Sequence, residues 1–539
     1  MDPRVEVAIL KTKIDTSSQE YTENKNSLLE KLNIISQQMQ LALDGGGEKY
    51  IQRHKKRGKL LARERIELLL DRSSAFLELS PLAAWGTNFT VGASLVTGIG
   101  TVCGTECLIF ANDPTVKGGS TNPYTLKKLS RAADIASENS LPTISLIESG
   151  GADLPTQAEL FIPGGRMFRD LTQRSSKGLP TISLVFGNST AGGAYVPGMS
   201  DYIVMIKNRS KVFLGGPPLV KMATGEESTD EELGGAEMHS KISGLSDYLA
   251  EDEQDAIRLG RQIVSRLNYV KKGAGRRTES FCEPIYDSQE ILGIITKDPK
   301  VPFDPREILA RIVDGSEFDE FKPDYGTSLV TGFAEISGYP VGILANHRGI
   351  LFNKEAQKAT QFIQLANQIN TPLIFFQNTT GYIVGKDYEQ DGIIKDGAKM
   401  INAVSNSRVP HITIVMGASY GAGNYGMCGR AFNPRFLFSW PNAKSAVMGK
   451  AQLAGVMAIV AKQSAQDRGL PFDEEANEMM RQMIEDQIER ESEALFLSSL
   501  LYDDGIIDPR DTRNVLSMCL SVVHNNEITG TLGYGIYRM

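Results

Sequence analysis

Leu28, Leu29, Leu32, Ile35 and Met39 recur at helical spacing within an otherwise polar stretch. That rhythm predicts a helical N-terminal extension over residues 1–44, ended by Gly45-Gly46-Gly47. Further along, Leu129, Ala132, Ala133 and Ala136 share one helix face, as do Ala359, Phe362, Ile363 and Ala366. Each of these helices is followed by a short apolar run, Ile144-Ser145-Leu146-Ile147 in one case and Leu373-Ile374-Phe375-Phe376 in the other. Unbroken apolar runs of this length mark strands covered on both faces. The order reads strands, helix, strand, helix, strand, twice over, which predicts an α/β fold. A long charged helix is expected near Glu474 to Leu500.

The two passes are copies of one another. Ser94-Leu95-Val96-Thr97-Gly98 returns 234 positions later as Ser328-Leu329-Val330-Thr331-Gly332, and Ala111-Asn112 returns as Ala345-Asn346. Leu141-Pro142-Thr143-Ile144 and Leu179-Pro180-Thr181-Ile182 return 230 positions later, as Thr371-Pro372-Leu373-Ile374 and Val409-Pro410-His411-Ile412. The register slips by four residues once and otherwise holds. A repeat this long is a duplicated domain, since solenoid periods run only to about 50 residues. The breaker-rich stretch from Lys271 to Pro284 separates the copies, giving domains at 45–275 and 285–539.

Composition narrows the class. The chain has 539 residues, 41% hydrophobic and 23% charged, with a net charge of −8, which suits two globular domains and argues against a nucleic-acid-binding protein. Its five scattered cysteines make no zinc spacing and suit a reducing compartment. No apolar run is long enough for a membrane span. The acidic N-terminus reads as cytosolic; a trimmed mitochondrial matrix protein would read the same.

Four small-residue turns are the candidate chemistry. The last strand of each copy runs into one, Gly187-Asn188-Ser189-Thr190-Ala191-Gly192-Gly193-Ala194-Tyr195 and Gly417-Ala418-Ser419-Tyr420-Gly421-Ala422-Gly423-Asn424-Tyr425. The preceding strands end in Glu148-Ser149-Gly150-Gly151-Ala152 and Gln377-Asn378-Thr379-Thr380-Gly381-Tyr382. Missing side chains let a ligand approach the backbone, and the first N–H groups of a helix can hold an oxyanion. Tight strand–helix packing alone also calls for glycine. Gly417-Ala418-Ser419-Tyr420-Gly421 matches the nucleophile elbow of serine hydrolases, so an esterase or thioesterase using Ser419 is an alternative, although only His524 follows it as a base. A pure binding protein is a third reading. The basic segment Arg53 to Arg65 is either a solvated helix face or a contact for a polyphosphate. The acidic run Glu226 to Glu232 has a cation site as an alternative, but reads first as a solvated loop with Thr229 and Glu232 forming a capping box. The five histidines show no metal spacing, and His411 reads as structural. No phosphate-binding G-x-x-x-x-G-K-[ST] loop is present, so any ATP chemistry enters through another chain.

The turn motifs, with Gly385-Lys386-Asp387-Tyr388-Glu389, Lys395-Asp396-Gly397-Ala398-Lys399-Met400 and Asp504-Gly505-Ile506-Ile507-Asp508-Pro509, resemble the carboxyltransferase β subunits of biotin-dependent acyl-CoA carboxylases, most of all the methylcrotonyl-CoA carboxylases. The resemblance runs from about Gly45 to Met539 and implies two tandem crotonase-like (ClpP/crotonase) domains. It implies transfer of a carboxyl group from carboxybiotin to a coenzyme A thioester, 3-methylcrotonyl-CoA foremost, with another medium, long or branched acyl-CoA, or propionyl-CoA, as the alternative. By the same resemblance Gly192 and Gly193 hold the enolate oxygen, and Ala422 and Gly423 the biotin ureido oxygen. Gly150, Gly151, Ala152, Ala191, Ala345 and Asn346 join the acyl-CoA site; Thr380, Gly381, Tyr382 and Gly421 join the biotin site. No metal is implied. The biotin rides on a biotin carboxylase/biotin carrier α subunit, and the site forms between copies of the β chain, at least a dimer and commonly a hexamer. Gln157 to Gly165, where the acyl chain should lie, departs from the usual methylcrotonyl form. The zinc-finger cysteines of acetyl-CoA carboxylase β chains are absent.

Overall fold

The computed structural model describes residues 7–277, 281–298, 301–469, 471 and 473–539. They form two units. One holds Ser36–Lys272 and Ser499–Leu501; the other holds the described residues up to Ile35, those of Gly273–Ser498, and Tyr502–Met539. The N-terminal helix spans Gln19–Asp44.

The first unit is built on an eight-stranded sheet. An antiparallel hairpin, Leu95–Val102 with Thr105–Asn112, leads into parallel strands Thr143–Ser149, Thr181–Thr190 and Tyr202–Ile206. Helix Pro123–Glu138 crosses between the hairpin and the parallel strands. Asn122 starts it, its side chain accepting from the N–H groups of Tyr124 and Thr125, and Pro123 follows where a missing N–H costs nothing. Ile144, Ile182 and Val204 are fully buried or nearly so, as strands covered on both faces require.

The second unit repeats this plan on a seven-stranded sheet. Leu329–Ile336 and Tyr339–Asn346 form the hairpin, helix Asn353–Gln368 follows, and Leu373–Thr379 and His411–Tyr420 run parallel. The registers correspond. Leu108 faces Thr143 and Thr143 faces Thr181; Gly342 faces Leu373 and Leu373 faces His411. Even the irregularity is shared, between Ile147 and Ser149 in one copy and between Gln377 and Thr379 in the other. Both crossover helices bury a lysine. Lys128 Nζ donates to Leu95 O at 2.6 Å and Lys358 Nζ to Leu329 O at 2.8 Å, and burial lowers each pKa to about 8.

One predicted element divides. The expected helix from Glu474 to Leu500 stops at Ser492, and a short helix Ala494–Ser499 follows. Between them Glu493 takes an extended conformation and bridges Lys444 as a strand residue would.

Candidate active site

Strand Thr181–Thr190 ends in a turn that opens into a short helical segment, Ala191–Ala194, continued by Tyr195–Gly198. Strand His411–Tyr420 opens into helix Gly421–Gly426. The pivot residues share one conformation, φ 56° at Ala191 and φ 54° at Gly421. An alanine held there signals a turn the surrounding structure enforces. Thr190 and Tyr420, just before the pivots, make no side-chain cap hydrogen bond, so the opening N–H groups are left to a ligand or water. Gly192 and Ala422 are exposed, Gly193 half-buried and Gly423 buried.

Beside each of these turns runs the other predicted one. Gly151 (φ 94°) donates to Ser149 Oγ at 3.2 Å, and Gly381 (φ 120°) to Thr379 Oγ1 at 3.1 Å. Gly150 donates to Gly118 O, and Ala152 and Thr380 are exposed. Tyr382 serves the fold: its hydroxyl meets Met400 Sδ at 3.3 Å, burial pushes its pKa up, and a Cβ on Gly426 would lie 2.3 Å from that hydroxyl. Ala345 and Asn346 are fully buried in the second unit, where Asn346 Oδ1 accepts the Asn378 N–H at 3.0 Å.

The residues bracing the two halves differ. A Cβ on Gly187 would meet the Glu148 side chain at 2.7 Å, and one on Gly417 would meet Asn378 Oδ1 at 2.4 Å. Asn378 Oδ1 accepts the Ala418 N–H at 3.1 Å. Glu148 instead pairs with Lys59 and, at 2.8 Å, with Arg65, which in turn makes two bonds to buried Glu253 at 2.9 and 3.0 Å. Burial would raise the Glu148 pKa, but Arg65 and Lys59 hold it below the usual carboxylate value. Sequence reasoning saw Lys59 and Arg65 only as part of a basic run; their partners lie 89 and 188 positions away.

Each helical turn borders a cavity. In the first unit, Gly193 and Ser189 line a mainly apolar pocket of about 140 Å³ walled by Leu129, Ala133, Met167, Leu171, Val196 and Met199. Helix Gln157–Ser176, which supplies part of that wall, contains Pro163. In the second unit Gly421 and Ala422 line a cavity of about 640 Å³ with Asn424, Tyr425, Ser439 and Asp503. Asp503 was not singled out from sequence. It is 1% exposed, its oxygens have no hydrogen-bond partner among the described residues, and the Ser439 and Ser498 hydroxyls stand beside it outside hydrogen-bond geometry. Burial raises its pKa to about 6.

Ser419 is no elbow nucleophile. It is 1% exposed, donates to Gln377 Oε1 at 2.5 Å and accepts from Asn424 Nδ2 at 2.8 Å. Its hydroxyl is thus fully used by two amides, neither of which can act as a base. The three histidines of this unit are engaged elsewhere: His347 faces Thr327 O through Nδ1 at 3.3 Å. His411 sits between Ser407 Oγ and Cys428 Sγ, and burial lowers its pKa to about 4; buried His524 faces Leu520 O. Thr229 and Glu232 form the expected capping box. Among the described residues no cluster of His, Cys, Asp or Glu could hold a metal, and no helix is long and apolar enough to cross a membrane.

Paired strand-to-helix turns, each exposing helix-opening N–H groups beside a cavity, define a carboxyltransferase of crotonase-like fold, and the relatives agree. Residues 53–532 match the carboxyl transferase domain family. The chain is 65% identical over 531 residues to the probable biotin-dependent acyl-coenzyme A carboxylase beta2 subunit of Mycobacterium tuberculosis, covering 98% of this chain and 100% of that one. It is 47% identical over 510 residues to the 3-methylcrotonyl-coenzyme A carboxylase beta1 subunit of the same organism, covering 94% and 96%. The solved β subunit of geranyl-CoA carboxylase from P. aeruginosa matches with a TM-score of 0.90 at 42% identity, covering 99% and 100%. The chain belongs to the carboxyl transferase domain family, as a β subunit of the biotin-dependent acyl-CoA carboxylase type.

Proposed function

We propose that this chain carboxylates a branched 2-enoyl-CoA, with 3-methylcrotonyl-CoA foremost, using carboxybiotin delivered by a biotin-carrying α subunit. The observation that carries the reading is the pair of turns pivoting at Ala191 and Gly421 in one backbone conformation, each at the mouth of a cavity. Two reactants that must both carry negative charge on oxygen require two such devices. The Gly192 and Gly193 N–H groups hold the thioester oxygen where the enolate develops, and Gly150, Gly151 and Ala152 flank it. The apolar pocket under Gly193 receives the acyl chain, walled by Met and Leu side chains that suit a branched hydrocarbon.

The Ala422 and Gly423 N–H groups hold the ureido oxygen, with Thr380, Gly381 and Gly421 beside them. Carboxybiotin supplies the carboxyl group and, once that group has left, a ureido nitrogen able to take the substrate proton. That explains why neither turn needs a side-chain base. The residues of this chain supply orientation and donors fixed in advance of reaction. Self-association, at least to a dimer and up to a hexamer, belongs to the same reading.

The test is reconstitution with the α subunit and competition among acyl-CoAs of different length. We expect 3-methylcrotonyl-CoA to be preferred over acetyl- and propionyl-CoA, and the isolated chain to fix no bicarbonate. Preference for propionyl-CoA would overturn the substrate assignment; ATP-dependent carboxylation by the isolated chain would overturn the subunit assignment. A geranyl-length preference is the second reading, favoured by the 42% identical geranyl-CoA carboxylase β structure.

A further inference from the structure

Helix Gln157–Ser176 walls the acyl pocket, yet of its 20 residues it buries only Leu160 and Arg174. Its twin in the second copy, helix Ile393–Asn406, has 14 residues and buries six of them, Met400, Ala403 and Val404 included. The two helices end in step, Asn406 lying 230 positions after Ser176, which is the offset of the strands on either side. They do not begin in step. Ile393, the first residue of the twin, corresponds to Pro163, and Gly392 (φ 84°) breaks the chain just before it. The first copy instead starts at Gln157 and runs through Pro163.

That run is two pieces joined end to end. Pro163 has no N–H to give the Glu159 carbonyl, and proline is tolerated in the first turn of a helix, which is where the twin begins. Gly164 and Gly165 follow. Neither has a positive φ, and a Cβ on either would meet nothing within 4 Å. No turn and no close approach calls for these glycines. What they add is backbone freedom, which weakens a helix interior.

The pieces on either side of this joint are held differently. The arm before it is anchored by buried Leu160, while Phe161 and Ile162 beside it face solvent. The piece after it supplies the pocket wall, including Met167 and Leu171, and touches the first turn through Phe168, edge-on to Tyr195 with ring centres 6.0 Å apart. Its far end is pinned. Buried Arg174 donates to Ser137 Oγ at 2.9 Å and to Leu141 O at 2.6 Å, and Ser175 bonds Asp201. Its near end, at the joint, is latched by the pair of Arg166 with Asp134, whose half-exposed side chains make it weak. A wall pinned at one end and jointed at the other can tilt.

The size of the pocket gives tilting a use. At about 140 Å³ it holds a group of about five or six carbons, since a cavity of about 150 Å³ holds one benzene ring. We propose that the Pro163-Gly164-Gly165 joint is the chain-length determinant of the acyl site: with the wall at rest the pocket fits a short branched chain, and tilting about the joint admits a longer apolar one. The inference rests on the reading that the first unit binds the acyl-CoA. The twin helix, packed down along its length and lacking the joint, has no such freedom.

The experiment stiffens the joint and varies the chain. Gly164→Ala with Gly165→Ala adds two methyl groups that touch nothing, so the melting temperature should not fall. Binding of 3-methylcrotonyl-CoA and of geranyl-CoA to the full chain is titrated calorimetrically, and turnover of both is measured on the complex reconstituted with the α subunit. The variant should lose at least about tenfold in affinity and in kcat/KM for geranyl-CoA and keep its values for 3-methylcrotonyl-CoA. Hydrogen exchange gives a readout without substrate: in the wild type the amides of Gln157 to Arg166 should exchange faster than those of Met167 to Ser176, and the two alanines should remove the difference. Equal losses on both esters, no loss on either, or a wild-type chain that binds only the shorter ester or neither would overturn the proposal, as would uniform exchange along the wild-type helix. If length-selective binding responds to the alanines while neither ester is turned over, the carboxylase reading fails and the joint stands.

Discussion

Gly193→Val isolates the first turn from the fold. A Cβ built on Gly193 meets nothing closer than Ser189 Oγ, at 3.8 Å, which is ordinary contact. The position thus has room for a Cβ, beside the pocket that Gly193 lines. An oxyanion must sit about 2.7–3.1 Å from its donors, and a branched side chain at the donor residue pushes it beyond that reach. Loss of such a donor costs about 2.7–4 kcal/mol, so carboxylation of acyl-CoA should fall by at least about a hundredfold. The second turn is untouched, so the variant should still decarboxylate supplied carboxybiotin at close to the wild-type rate. Both rates are measured on the reconstituted complex after confirming assembly and an unchanged melting temperature. A folded variant whose acyl-CoA carboxylation stays within about threefold of wild type would refute the assignment of this turn.

Gly423→Ala should fail differently, because its Cβ would lie 2.8 Å from both Gly381 Cα and Thr379 Oγ1; backbone must shift, and the melting temperature should drop along with both half-reactions, by the about 1–3 kcal/mol typical of overpacking. Ser419→Ala leaves Gln377 and Asn424 short of a buried partner and should cost about 1–3 kcal/mol of stability while most carboxylation survives; a stable, inactive protein would restore the hydrolase reading. Asp503→Asn tests a buried carboxyl. Its pKa, raised from 3.8 to about 6, means the folded chain keeps a proton that the unfolded chain loses, so wild-type stability falls as pH rises from about 4 through 6. The variant should gain on wild type across that window by about 3 kcal/mol, and denaturant titrations showing a pH-independent difference would contradict it.

Glycine made the four turns legible in the sequence, because a turn that brings backbone to a ligand cannot tolerate side chains and the duplication displayed each requirement twice. Ala191 shows the limit of that signal: it holds the same conformation as Gly421 without being glycine, and only the family resemblance pointed to it. Ser419 shows the converse, a motif match that the packing of Gln377 and Asn424 dissolves. What stayed hidden were interactions between residues far apart in sequence. Nothing in Lys59, Arg65 or Glu253 announces that all three converge on or around Glu148. Asp503 is equally silent, since its burial comes from tertiary packing alone.

The unlike braces under the two turns give the duplicated halves different tolerances to acid. Asn378 holds its turn with an uncharged amide, indifferent to protons, whereas Glu148 holds its own as a carboxylate clasped by Lys59 and Arg65. Its depressed pKa stabilises the first half above the ordinary carboxylate range, and that contribution fades as pH falls below about 4. Acidification should therefore loosen the brace under the first turn before the one under the second. Two halves that began as the same peptide have come to rest on different chemistry, and on the roles proposed for the two turns the first symptom of acid stress should be uncoupling: a chain that still discharges its carboxyl donor but no longer has an acceptor in place to catch it.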